Sequence, residues 1–305
     1  MKRLFSLVVL ISMSVWGQQE PQYTQYMLNP TIINPAYAGS TGYGSLFSIY
    51  RAQWLGLDGA PKTMNLAYHQ PIENSHIGIG GNILRDEIGP TNTTFAAVDI
   101  SYTIAFANES RLAFGVKAGG DLFSIDFQKL NNFDPNDYFL QQNISDLNNQ
   151  FSPNVGVGFY YYTNNSYLGL SVPRLLETSF TKSLAYSETK KKQHFYFVAG
   201  KVFDLAYNLK FKPAFITKVV AGAPLQLDLT ANFLYNESFT VGLAYRWSAS
   251  LSALVGFKVN DRLSIGYGYD RENTQLVNFN SGSHELFLQF DLFKNTQKVE
   301  TTRFF

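Results

Sequence analysis

Over most of the chain, apolar and polar side chains alternate with a period of two, in runs of about ten residues broken by turn formers. In 226–235, Leu227, Leu229, Ala231, Phe233 and Tyr235 alternate with Gln226, Asp228, Thr230, Asn232 and Leu234. In 239–247, Phe239, Val241, Leu243, Tyr245 and Trp247 alternate with Thr240, Gly242, Ala244 and Arg246. The same dyad sets Val155, Val157, Phe159 and Tyr161 on one side of 153–163, and Leu263, Ile265, Tyr267 and Tyr269 against Ser264, Gly266 and Gly268. Successive side chains of a strand point to opposite faces, so each run has one apolar face and one small or polar face. A membrane wall around a polar lumen has that pattern.

Applied to the whole chain, the pattern predicts strands at 43–51, 63–70, 76–85, 92–106, 111–124, 153–163, 166–172, 193–203, 209–220, 226–235, 239–247, 250–259, 263–270 and 283–293, fourteen in all. The even-numbered connections, 71–75, 107–110, 164–165, 204–208, 236–238 and 260–262, are short and rich in Asn, Asp and Pro. The longest, about 125–152, 173–192 and 271–282, are odd-numbered. Bacterial barrels sort their connections this way, with tight turns in the periplasm and longer loops outside, whereas a soluble sandwich has no reason to. The expected fold is therefore all-β: a transmembrane antiparallel up-and-down β-barrel of about fourteen strands over 43–293, in an outer membrane. Alternation turns Arg51, Asp99, Lys117, Lys201, Asp228, Arg246 and Lys258 into the lumen, where charges pair or meet water. Trp54, Tyr102, Tyr160 to Tyr162 and Trp247 fall near strand ends, where interfacial girdles belong.

Composition agrees with a strand-built chain: 16% aromatic, 15% charged and 23 Gly. A net charge of +1 gives no field that would draw the protein to nucleic acid. Lys2 and Arg3 precede an apolar stretch from Leu4 to Trp16 and a small Gly17, so residues 1–17 are expected to be a signal peptide. Beyond it no run reaches 18 apolar residues, and any membrane crossing must use strands. Residues 18–42 then form an N-terminal periplasmic or plug segment, and 294–305 a C-terminal tail.

Candidate chemistry is sparse. There is no Cys, which excludes thiolate chemistry, disulfides and lipoprotein acylation. His69, His76, His194 and His284 show no metal-site spacing, and no Gly-x-Ser-x-Gly elbow occurs. Gly78 to Gly81 sit inside a strand dyad with no helix to follow, so they read as room for side chains packing in the lumen and not as a dinucleotide loop. We expect no catalytic residue, no metal and no cofactor.

The stretch before the first strand, Gln22 to Gly39, carries two Asn-Pro pairs five residues apart, Asn29-Pro30 and Asn34-Pro35, followed by Tyr37 and Gly39. Tyr50-Arg-Ala-Gln-Trp54, Gly59-Ala-Pro-Lys-Thr63 with Pro61 and Lys62, Ile88-Gly-Pro-Thr-Asn-Thr94 with Gly89 and Pro90, Phe114 to Gly119, Asn154 to Tyr161, Gly169 to Pro173 and the final Thr302-Arg-Phe-Phe305 follow in order. Together they resemble the PorP/SprF family of outer-membrane proteins. That resemblance implies a barrel of the type IX secretion system, associated also with gliding motility. Its partners would be other components of that system and a large, adhesin-like surface protein carrying a C-terminal sorting domain. Physically, each Pro fixes φ and pushes its Asn to extended geometry, which gives a rigid non-ladder segment entering or sealing the barrel. A docking role toward periplasmic partners is the other reading of that segment. The 51–63 connection reads first as a compact loop stiffened by Pro61 and second as a substrate contact.

Two odd-numbered connections are the expected partner-binding loops. The first holds Phe133, Tyr138 and Phe139 among other apolar residues, which suits burial against a protein; the second holds Lys182, Lys190, Lys191 and Lys192, which suits electrostatic contact. The alternative is a small-solute porin with the 125–152 loop folded inward.

Overall fold

The structure is a computed structural model and describes residues 23–126, 129, 147–179 and 190–292. The wall strands are β1 (Gly44–Ala52), β2 (Lys62–Pro71), β3 (Ile77–Ile88), β4 (Thr91–Ala105), β5 (Arg111–Ile125), β6 (Leu147–Tyr162) and β7 (Ser166–Val172). They continue as β8 (His194–Lys201, prolonged by Phe203–Ala206), β9 (Leu209–Val220), β10 (Gln226–Tyr235), β11 (Phe239–Arg246), β12 (Ser250–Lys258), β13 (Leu263–Glu272) and β14 (Ser283–Leu292). Each pairs antiparallel with the next, and β14 returns to β1, with Gly44 opposite Leu292 and Ala52 opposite His284. The result is a closed 14-strand antiparallel β-barrel. Closure leaves no strand edge facing lipid, where an unpaired N–H or C=O would cost several kcal/mol.

Burial follows the dyad. In β11 the outward Val241, Leu243 and Tyr245 are exposed, while Thr240 and Gly242 are buried. Val98 is 61% exposed, Val116 57% and Leu243 58%, too large and continuous an apolar surface to face water. In lipid each such side chain gains about 1.5–3 kcal/mol relative to water. The lumen face is polar, with Asn65, Asp99, Lys117, Asp228 and Gln289 all buried.

Several expectations change. β6 starts at Leu147 and not 153, because the polar 148–150 run shows no alternation yet pairs with the end of β5, Gln150 opposite Phe123. β8 breaks at Val202, whose N–H bonds the Asn165 carbonyl (2.7 Å). Lys201 falls in the outward phase of β8, in step with Phe195 and Phe197, and its Nζ lies 5.2 Å from the Phe203 ring centroid, so the expected lumen position is wrong. Arg51, Asp99, Lys117, Asp228 and Arg246 do face inward, and Lys258 sits at the rim, 3.3 Å from Asp261. Tyr160 and Tyr162 are not girdle residues. They are buried in the lumen, and only Tyr161 of that trio points outward, because the even phase of β6 faces inside.

Both ends of the wall, Gly44 and Leu292, share one mouth with the even-numbered connections; we call it the turn mouth. The opposite, loop mouth carries the long connections. There a short ladder joins Thr178–Ser179 to Lys190–Lys191 inside the β7–β8 connection.

Candidate functional site

The lumen is where the non-ladder residues before β1 come to rest. Three short 3-10 turns, Tyr26–Leu28, Pro30–Ile32 and Pro35–Tyr37, fold this segment, and nearly all of it is buried. Both prolines open a turn, a position where the missing N–H costs nothing. Asn34 is extended (φ −137°, ψ 108°), the geometry proline favours in the residue before it, and its Oδ1 accepts from the Ala36 N–H (3.0 Å); Asn29, before Pro30, has ψ 72° and is not extended as expected. Its Nδ2 donates to the Phe159 carbonyl of β6 (2.9 Å). One side chain thus caps the turn and ties it to the wall.

Further ties run to several wall strands. Thr24 N–H donates to Glu285 (2.8 Å) and its hydroxyl to Asp270 (2.6 Å). Lys117 Nζ donates to the carbonyls of Thr31 (2.9 Å) and Ile32 (3.2 Å), Ser101 Oγ to that of Ala38 (2.6 Å), and the Tyr37 ring packs edge-on against His69 and Tyr160. The lumen charges are paired around these contacts: Arg51 with Asp270 (2.5 Å) and with Glu285, Lys117 with Asp99 (3.5 Å), Arg174 with Asp121 (3.5 Å), Arg246 with Asp228 (2.9 Å). Charges taken this far from water hold only when partnered.

Glycines open the slot for this plug. A Cβ on Gly78 would strike the Ala38 carbonyl, one on Gly115 the Ala36 backbone, and one on Gly158 the Asn34 carboxamide. The room therefore goes to the plug, chiefly its backbone, and not to packing wall side chains as expected for Gly78. The plug separates two vestibules. At the loop mouth a cavity is lined by Tyr23, Tyr26, Phe95, Arg174 and Lys218; at the turn mouth a second is lined by Tyr37, Arg111, Tyr160 and Tyr162.

The structure splits the motif residues into two groups. Asn29, Pro30, Asn34, Pro35, Tyr37 and Gly39 lie in the plug. Trp54, Pro61, Lys62, Gly89 and Pro90 lie at the loop mouth, where adjoining loops brace one another: Trp54 Nε1 donates to Glu272 (3.1 Å), Leu55 N–H to the Gly282 carbonyl (2.9 Å), Gly89 N–H to Gly59 (2.9 Å) and Asp126 N–H to Pro90 (3.0 Å). The Pro61 carbonyl accepts from Gln53 N–H (2.9 Å) across the base of the first loop, and Lys62 opens β2 opposite Glu87. Of the expected partner-binding residues, Lys190 and Lys191 form the short ladder, and Lys192 Nζ donates to the Ala221 carbonyl (2.9 Å). Phe133, Tyr138, Phe139 and Lys182 lie outside the described residues, as do the expected signal peptide and the tail after Leu292.

Sequence reasoning missed Arg174, which reaches from the β7–β8 connection into the lumen and stands 4.2 Å over the Phe95 ring. Its only signal was its place after Pro173, where the ladder stops. Among the described residues no three metal-ligating side chains converge.

A family model described as type IX secretion system membrane protein PorP/SprF matches residues 15–290. No curated protein matches. Among solved structures, the chain is similar to the CymD monoaromatic hydrocarbon channel (10% identity, 90% of this chain and 94% of that one, TM-score 0.49). It is also similar to CdiB from Acinetobacter baumannii (8%, 82% and 60%, TM-score 0.46) and to the KdgM porin in complex with disordered oligogalacturonate (9%, 82% and 99%, TM-score 0.38).

Proposed function

Because the chain belongs to the PorP/SprF family of type IX secretion system membrane proteins, we propose that its barrel supports export or surface attachment of a large partner protein carrying a C-terminal sorting domain. It is an outer-membrane component of that system, a barrel of a non-enzymatic kind. What supports a partner-holding role over solute passage is the plug: residues 23–43 occupy the lumen, bonded to β4, β5, β6, β13 and β14. A wall built to conduct would leave those inward charges to water. Here they hold protein.

In this reading the turn mouth faces the periplasm and the loop mouth the cell exterior, and the partner sits on the braced outer loops. The β5–β6 loop supplies apolar burial through Phe133, Tyr138 and Phe139. The β7–β8 connection supplies positive charge through Lys182 and Lys190 to Lys192. The plug leaves the partner a closed floor to rest on, so the outer membrane stays sealed while the partner is held.

Deleting residues 130–146, which spares β6, in the native strain tests this. With the barrel still inserted, the large surface protein should fall on cells and rise in the medium. Unchanged retention would reject the loop as the partner site, and altered uptake of small solutes instead would favour a transport barrel.

A further inference from the structure

The cavity at the turn mouth has no role in holding an exported partner at the other end of the barrel. Its floor is the plug, from Tyr37 to Gly42, and its side is an aromatic wall in which Tyr160 and Tyr162 lie 5.3 Å apart and Tyr37 meets Tyr160 edge-on. Arg111 lies over the Tyr162 ring at 5.8 Å and has no ion pair among the described residues. The flanking turns carry Glu73 and Glu109, both exposed. An aromatic cup with acids on its rim suits a basic segment that presents aromatic side chains.

The chain has such a segment, and it leaves the wall at the same mouth. After Leu292, residues 293–305 hold Lys294, Lys298 and Arg303 against the single acid Glu300, and Phe304 and Phe305 stand beside Arg303. Extended, 293–305 reach roughly 40 Å, whereas fourteen tilted strands about 4.8 Å apart close a mouth roughly 28 Å wide. Tethering keeps the segment at about millimolar local concentration, so weak contacts suffice. We propose that residues 293–305 dock into the turn-mouth cavity, with Phe304 and Phe305 against Tyr37, Tyr160 and Tyr162 and the basic residues toward Glu73 and Glu109. The plug is then covered from the periplasmic side by the chain's own second terminal segment, and the aromatic pair is withheld from other proteins there.

The chain has no cysteine, which makes disulfide trapping clean. Phe304→Cys is combined with Asn164→Cys, beside the cup, or with Asp261→Cys, in the β12–β13 turn next to the end of β14. The full-length barrel is oxidised in outer membranes and the disulfide peptides are counted by mass spectrometry. Docking gives several-fold more product with Asn164→Cys, although Asp261 stands nearer the base of the segment. Equal yields, or more with Asp261→Cys, overturn the proposal. Adding Tyr162→Ala, or Phe305→Ala, which leaves the wall untouched, should bring the Asn164→Cys yield down to the other; a yield unmoved by Phe305→Ala also overturns it. Neither readout depends on secretion, so the proposal stands or falls apart from the partner-holding role.

Discussion

Gly158→Ala is the sharpest test of the plug. Gly158 faces inward from β6, paired with Gly115 on one side and Ser171 on the other. Its added Cβ would occupy the place of the Asn34 carboxamide. That group would have to leave, losing the hydrogen bond from Ala36 N–H (3.0 Å) and the one to the Phe159 carbonyl (2.9 Å), about 1 kcal/mol each. Crowding in a packed slot adds about 1–3 kcal/mol. About 3–5 kcal/mol against the seated plug weakens seating by roughly a hundredfold to a few thousandfold. The ladder is spared, since alanine leaves the β6 backbone bonds in place. In liposomes the variant should admit small solutes that the parent excludes, and protease should cut within 23–43, while the unboiled protein keeps the fast gel mobility of a closed barrel. Gly81→Ala, pointing outward with its nearest new contact 3.3 Å away, should behave as the parent. A Gly158→Ala barrel as tight and as protected as the parent would refute the slot argument, and a loss of gel mobility would move the effect to the wall.

Other perturbations probe other parts of the molecule. Arg51→Ala strands Asp270 and Glu285 in the lumen and should cost about 3–5 kcal/mol, read as a lower temperature for loss of the unboiled gel band; an unchanged temperature would mean the cluster is hydrated. Topology is checked with a tag near Asn148, which should be labelled on intact cells, and one near Asn236, which should not; equal labelling would overturn the assignment of the mouths. At the outer loops, alanine at Phe133, Tyr138 or Phe139 should cost about 2 kcal/mol or more each in partner binding. Neutralising Lys182 and Lys190 to Lys192 should mainly slow association and flatten its salt dependence, so an effect confined to dissociation would contradict the electrostatic role.

Local pattern determined the wall. Dyad alternation is a property of neighbouring residues, so strand number, the sorting of connection lengths and the apolar outer face were legible in the sequence. They failed where alternation is weak, in the polar 148–150 run, and where a charge sits in the apolar phase, at Lys201 in step with Phe195 and Phe197. The conformation of the second Asn-Pro turn was legible for the same reason, since proline restricts its own φ and the residue before it, whereas Asn29 before the first has ψ 72° and is not extended. Their location was not. Thr24 meets Asp270 across 246 positions and Asn34 meets Phe159 across 125, and no local propensity encodes contacts of that range. Only closure of the barrel puts Gly78, Gly115 and Gly158 around one slot, turns Tyr160 and Tyr162 from an expected girdle into the wall of a cavity, and brings Arg174 to Asp121. Period two says which face is apolar and turns outward; what fills the inside is decided when the last strand meets the first.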